Sequence, residues 1–173
     1  MTGLGYLPGG TDSLPADVSA DGSVIVGQGG PGPFRWTETL GMVALDTPCP
    51  ACDGRPHAVS GDGLVIVGWS ETSSGTGGFP FIWDEVRGMR DVGQILVSHG
   101  IDLTGWSLGA AIGVSSDGAT ILGAGHNPSG NPNYWVASIP PPSAVPASNA
   151  VSKGLFALLL MAAGVRAFAN RKY

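Results

Sequence analysis

The sequence predicts an all-β chain: a propeller-like array of short antiparallel repeats (a partial propeller), followed by a linker and one C-terminal hydrophobic helix. Three observations predict it. A pattern of Val-Ser-x-Asp-Gly, two residues, an aliphatic pair and Gly occurs three times, as DVSADGSVIVG at Asp17–Gly27, AVSGDGLVIVG at Ala58–Gly68 and GVSSDGATILG at Gly113–Gly123. An aromatic element follows each copy, PFRW at Pro33–Trp36, PFIW at Pro80–Trp83 and NYWV at Asn133–Val136. Beyond about residue 140 the composition shifts to Pro, Ala and Ser, and then to an apolar run flanked by basic residues.

Within one repeat each piece has a physical reading. Asp-Gly at 21–22, 62–63 and 117–118 lies between short apolar stretches, the mark of a hairpin turn that needs positive φ. Val24–Val26, Val65–Val67 and Thr120–Leu122 are short β-branched or aliphatic runs, hence strands. Gly27, Gly68 and Gly123 are expected to end those strands, where the chain bends or another backbone comes close. The Phe/Tyr-Trp elements form the next strand, with Trp36, Trp83 and Trp135 read as one recurring position whose ring faces a neighbouring sheet. In the first two copies, Leu-Gly-Met at 40–42 and Arg-Gly-Met at 87–89 mark a further turn into Val43–Leu45 and Arg90–Val92. Repeats are thus expected at about 3–48, 49–98 and 99–140. A unit of three or four strands over roughly 40–55 residues fits a propeller blade or a β-solenoid turn, and must stack to cover its apolar face.

Composition agrees with order. The 173 residues include 29 Gly and 14 Pro and only 12% charged residues, close to the range of low-complexity disorder. Five Trp and the recurrent Val/Ile runs argue against disorder, which depletes those types. All 13 acidic residues precede residue 120, against four arginines in the same body (Arg35, Arg55, Arg87, Arg90), so the body has no basic stripe to neutralise phosphates and no nucleic-acid partner is expected.

The opening MTGLGYLPGG, the three Val-Ser-x-Asp-Gly copies and Phe-Arg-Trp-Thr at 34–37 resemble the HAF repeats of bacterial extracellular proteins. The stretch Gly100–Pro140 resembles the last repeat of such proteins, and the likeness spans about residues 3–140. It implies a propeller-like all-β fold and an extracellular location, and implies no particular activity.

The tail reads as an address. Residues 141–153 form a Pro/Ala/Ser linker, and residues 154–173 a hydrophobic helix with a basic end. Gly154–Val165 is uninterrupted and apolar between Lys153 and Arg166; with Arg166 snorkelling it extends to Ala169, short of the ~17–25 residues of a spanning helix. A buried C-terminal helix of the domain is the competing reading. The all-round apolarity and the ending Arg171-Lys172-Tyr173 favour a membrane, with the basic residues on the cytoplasmic side. This arrangement is similar to PEP-CTERM, exosortase-type sorting signals, although Val145-Pro146 is followed by Ala147-Ser148 and the Pro-Glu-Pro of that class is absent. The partners that follow are the membrane via Gly154–Ala169, an exosortase-type processing enzyme and surface polysaccharide. The opening residues contain no basic and apolar leader pattern. The expectation is therefore a longer protein or an upstream start, with a short secreted fragment as the alternative.

Candidate chemistry is sparse. Cys49 and Cys52 form a C-x-x-C with His57 nearby, open to three readings: a small disulfide or structural thiols (favoured in an oxidising compartment), a partial metal site, or a redox motif. His99 and His126 stand apart. The repeated Asp of Asp-Gly supplies one carboxylate per loop, which suits turn chemistry better than calcium. Ser19, Ser60 and Ser115 recur at the same turn and are read as structural. Asp84 and Glu85 are adjacent at a strand end and face opposite sides, a poor pair for glycoside hydrolysis. Trp36, Trp69, Trp83, Trp106 and Trp135 form a sugar-stacking surface or, the better reading, core. No catalytic, cofactor-binding or metal residue is assigned. The function expected is that of an exported cell-surface or extracellular-matrix β-repeat protein, non-enzymatic, in adhesion or assembly at the envelope. The alternative is a glycan-binding or hydrolytic propeller of which this chain is a C-terminal fragment.

Overall fold

The computed structural model describes residues 3–48, 53–72 and 77–139. It is all-β, with three antiparallel meander sheets and one short helix. The first sheet comprises β1 (Ser13–Val18), β2 (Val24–Gly29), β3 (Gly32–Thr37) and β4 (Gly41–Ala44). The second comprises β5 (Gly54–Val59), β6 (Val65–Glu71), β7 (Gly78–Asp84) and β8 (Gly88–Asp91), followed by α1 (Val92–Ser98). The third has three strands, β9 (Ser107–Val114), β10 (Thr120–His126) and β11 (Pro132–Ser138). The expected hydrophobic helix of the tail lies outside the described residues.

The sheets stack face to face. β5 packs on β1–β3, and β9 packs on β5–β7; among the described residues the array stays open and does not close into a ring. Two apolar layers fill the gaps. Between the first and second sheets, Val24, Val26 and Leu45 meet Val59, Ile66, Phe81, Trp83 and Met89. Between the second and third, Val65, Val67, Ile82, Val92 and Leu96 meet Ala111, Ile121, Trp135, Ala137 and Ile139. The second sheet thus has a front face towards the first and a back face towards the third, as strand alternation requires, and the same strand positions define front and back on the other two.

Three details depart from the sequence reading. Gly27, Gly68 and Gly123 do not end their strands, which run on to Gly29, Glu71 and His126. They sit mid-strand beneath an aromatic ring, and Gly27 and Gly68 lie against the neighbouring backbone as well. A Cβ built at Gly68 would lie 2.0 Å from the Arg55 carbonyl oxygen and 2.8 Å from the Phe81 ring. A bulge accompanies each: Ala16, His57 and Ile112 are the extra residues opposite Gly27/Val26, Gly68/Val67 and Gly123/Leu122.

The tryptophan position is also shifted. Gly27 pairs with Phe34, Gly68 with Phe81 and Gly123 with Trp135. Trp135 therefore occupies the phenylalanine place, and the counterpart of Trp36 and Trp83 in the third sheet is Ala137. Only two of the three tryptophans share a position.

Finally, β8 stops at Asp91 and Val92 begins a helix rather than continuing a strand. The Asp91 carboxylate accepts from the Gly93 N–H at 2.7 Å and the Gln94 N–H at 3.4 Å, which caps the helix, and Val92 and Leu96 bury one face at i, i+4 spacing.

Candidate functional site

The most repeated polar groups of the chain form one device built three times. In the first hairpin the Ser19 and Val24 backbones close a four-residue loop at 2.9 Å, and Gly22 takes φ +73°. The Val24 N–H donates to Ser19 Oγ at 3.0 Å, and the Ser19 hydroxyl donates to Asp21 Oδ1 at 2.7 Å. Asp21 Oδ1 also accepts from the Ser23 N–H and hydroxyl, at 3.0 and 2.8 Å. The same relay runs through Ser60, Asp62, Leu64 and Val65, and through Ser115, Asp117, Ala119 and Thr120. These hydrogen bonds hold the Asp21 carboxyl down at about 2, the Ser23 N–H being the largest influence and the Ser19 hydroxyl the next. Asp117 is also held low, first by the Ser115 hydroxyl and then by the Ala119 N–H. The motif that stands out in the sequence is a turn in which serine and aspartate satisfy the backbone and each other.

The turns also join the sheets. The Ala20 N–H donates to the Gly61 carbonyl at 3.1 Å, and the Gly61 N–H donates to the Ser116 carbonyl at 3.0 Å. Gly63 rests on Val24 of the preceding sheet, where a Cβ would come within 2.5 Å of Val24 Cγ2, and Gly118 rests on Val65 in the same way at 2.7 Å. Side chains add two further links, Asp17 Oδ2 accepting from the Val59 N–H and His57 Nδ1 donating to the Ala111 carbonyl, both at 2.9 Å.

The remaining candidates are dispersed. Cys49 and Cys52 lie outside the described residues. His57 is the bulged residue of β5, His99 closes α1 through the Ile95 carbonyl, and His126 ends β10. Among the described residues no three His, Cys, Asp or Glu side chains gather where they could hold a metal. Asp84 and Glu85 part company: Glu85 is exposed, whereas Asp84 is buried and accepts from the Val86 and Arg87 N–H groups and from the Arg90 guanidinium. Trp83 is core, Trp36 is half-buried, and Trp69 stacks under the Arg55 guanidinium 5.7 Å from its ring centre.

One cleft of about 200 Å³ opens between the α1–β9 connection and β11, lined by Leu96, Leu103, Trp106, Leu108, Tyr134 and Val136 among others. Its walls are largely apolar. Asp102 stands at the same cleft, but its carboxylate accepts the Thr104 N–H at 2.8 Å and is held low by Thr104, the hydroxyl first. Sequence reasoning missed this cleft because it depends on α1. The legible signal was Asp91 ahead of Val92 and Leu96, a capping residue before an i, i+4 apolar pair.

These features define an all-β protein of stacked meander sheets joined by a repeated Ser–Asp turn. Comparison with protein-family models, with curated proteins and with solved structures finds no match.

Proposed function

We propose that this chain is an exported, non-enzymatic β-repeat protein of the bacterial cell surface or extracellular matrix, acting in adhesion or assembly at the envelope. In this reading the three sheets are consecutive blades of a HAF-type propeller-like array, and residues 154–173 are a PEP-CTERM-like sorting signal that engages the membrane and an exosortase-type enzyme. Surface polysaccharide is the partner the repeats would meet there.

The observation that carries the reading is the fate of the repeated polar groups. Ser19, Asp21, Ser60, Asp62, Ser115 and Asp117 are committed to their own turns. A chain that spends its most repeated serines and carboxylates on hairpins is built to repeat a scaffold rather than to move protons. The cluster of Lys153, Arg166, Arg171 and Lys172 around an apolar run supports the sorting role.

The test is surface accessibility. An epitope placed in the exposed Asn127–Asn131 turn of the full chain, in its native cell, is expected to be removed by protease added to intact cells. Deleting residues 154–173 should release the chain from the envelope fraction. An epitope that resists protease in intact cells and fractionates with cytosol would overturn the reading.

A further inference from the structure

The two ends of the stack are unfinished halves of the interface that recurs inside it. The front face of the second sheet is made of Val59, Ile66, Phe81, Trp83 and Met89, all buried beneath the first sheet. By strand register the same places on the first sheet hold Val18, Ile25, Phe34, Trp36 and Met42, the identical residue types in the identical order. Phe34 is buried, but Ile25, Trp36 and Met42 are only half-buried, and Val18 is 50% exposed where Val59 is 6% exposed.

The opposite end mirrors this. On the back face of the second sheet, Val67 and Ile82 are 0% and 2% exposed under the third sheet. Their counterparts on the third sheet, the cross-strand pair Leu122 and Val136, are 41% and 47% exposed. The turn contacts end in the same way. Gly63 and Gly118 rest on valines of a preceding sheet, whereas a Cβ at Gly22 would meet nothing within 4 Å. Thr120, the third-sheet counterpart of Val24 and Val65, is half-buried.

We infer that the front face of the first sheet docks on the back face of the third sheet of a second copy of this chain. The argument is continuity: the open front face repeats, residue type for residue type, the half-interface that the second sheet uses against the first. The open back face keeps an aliphatic pair at the places that bury it inside the stack. The contact is heterologous, front on back, and two copies joined at both ends would form a ring of six sheets, within the roughly four to eight blades at which such rings close. In it Gly22 of one copy rests on Thr120 of the other, and the Ser116 N–H donates to the Ala20 carbonyl, continuing the sequence Ala20 to Gly61 to Ser116.

Complementation between two variants of the full chain tests this, with sedimentation velocity in mild detergent as the readout. The wild type is expected to sediment as a dimer across the micromolar range. Val18→Lys places a charge on the front face and Leu122→Lys on the back face. Both sites are exposed in the single chain, so the circular dichroism spectrum should be unchanged, and each variant alone should dissociate at least about tenfold more readily than wild type. An equimolar mixture should regain dimers, because the intact back of the first variant meets the intact front of the second. A monomeric wild type overturns the proposal. So does a dimer that survives both substitutions, which would place association in residues 154–165. So does a dimer lost to only one of the two substitutions, which would make the contact front-to-front or back-to-back, and so does a mixture that stays monomeric, which would show that an intact front and an intact back do not bind each other.

Discussion

At the scale of single residues, the chain settles its backbone accounts with serine and aspartate. A hairpin of this shape leaves the N–H two residues past the Asp, at the exposed tip, and the N–H after it with no strand partner; the second is buried in the first two turns, where a missing bond costs about 1–3 kcal/mol. Asp21 and Ser19 supply both acceptors, and the relay recurs at Ser60–Asp62 and Ser115–Asp117. Because the bonds at Asp21 and Asp117 favour the ionised carboxylate, they tie stability to pH. The folded value for Asp21 is about 2, below the ordinary 3.8, so its contribution is complete above about 4 and is lost as pH falls through about 2. Asp117 is shifted in the same direction. The urea midpoint is therefore expected to fall between pH 4 and pH 2. In an Asp21→Asn/Asp117→Asn variant that fall should be shallower, since a neutral amide oxygen keeps an acceptor without the titration. A variant that loses stability over this window as steeply as wild type would show that the turns do not set the acid limit.

At the scale of elements, the decisive feature is the glycine–aromatic pair that crosses each sheet. Gly68 lets the Phe81 ring lie on its backbone while the bulge at His57 brings the Arg55 carbonyl close. Gly68→Ala forces a Cβ to 2.0 Å from that carbonyl, a backbone atom that cannot swing aside. The expected cost is about 3 kcal/mol, at the upper end for overpacking. Gly113→Ala is the control: its nearest neighbour would be Leu122 Cβ at 3.7 Å, an ordinary contact, and the change should fall within about 0.5 kcal/mol of neutral. Equal denaturation midpoints for the two variants would mean that the close approach is not maintained. The third sheet shows the pair tolerating a larger ring: Trp135 lies over Gly123 and donates from its indole N–H to the Ala124 carbonyl at 3.0 Å.

At the scale of the whole molecule, sheets are held to sheets by apolar layers and by the turns that knit them at one edge. Two glycines in the same conformation separate these effects. Gly22 and Gly63 have φ +73° and +71°, so alanine at either carries the same left-handed strain, about 1–2 kcal/mol. Only Gly63 touches the neighbouring sheet, through Val24. Gly63→Ala should therefore be less stable than Gly22→Ala by about 1 kcal/mol or more, an overpacking cost read by urea denaturation. In the proposed dimer the comparison changes, because Gly22 then meets Thr120 of the second copy and Gly22→Ala would weaken association as well.

Much of this plan can be read from residue order alone. Asp-Gly between apolar runs specifies the hairpins, because a positive φ at a tight turn selects glycine. Alternating Val and Ile specify strands, and the threefold recurrence specifies repeated units, because these are local consequences of backbone geometry and side-chain shape. The rest is non-local. Gly27, Gly68 and Gly123 read as strand ends until an aromatic ring, and at Gly27 and Gly68 a bulged neighbour too, are seen to occupy the space a side chain would need. Trp135 reads as the partner of Trp36 and Trp83 until strand pairing places it opposite a glycine. The α1 helix and the cleft beside it emerge from a capping aspartate that local patterning hides behind a strand signal. Which valines are core and which are open ends depends on whether another sheet lies over them, and a repeat looks the same in sequence at the middle of a stack and at its edge.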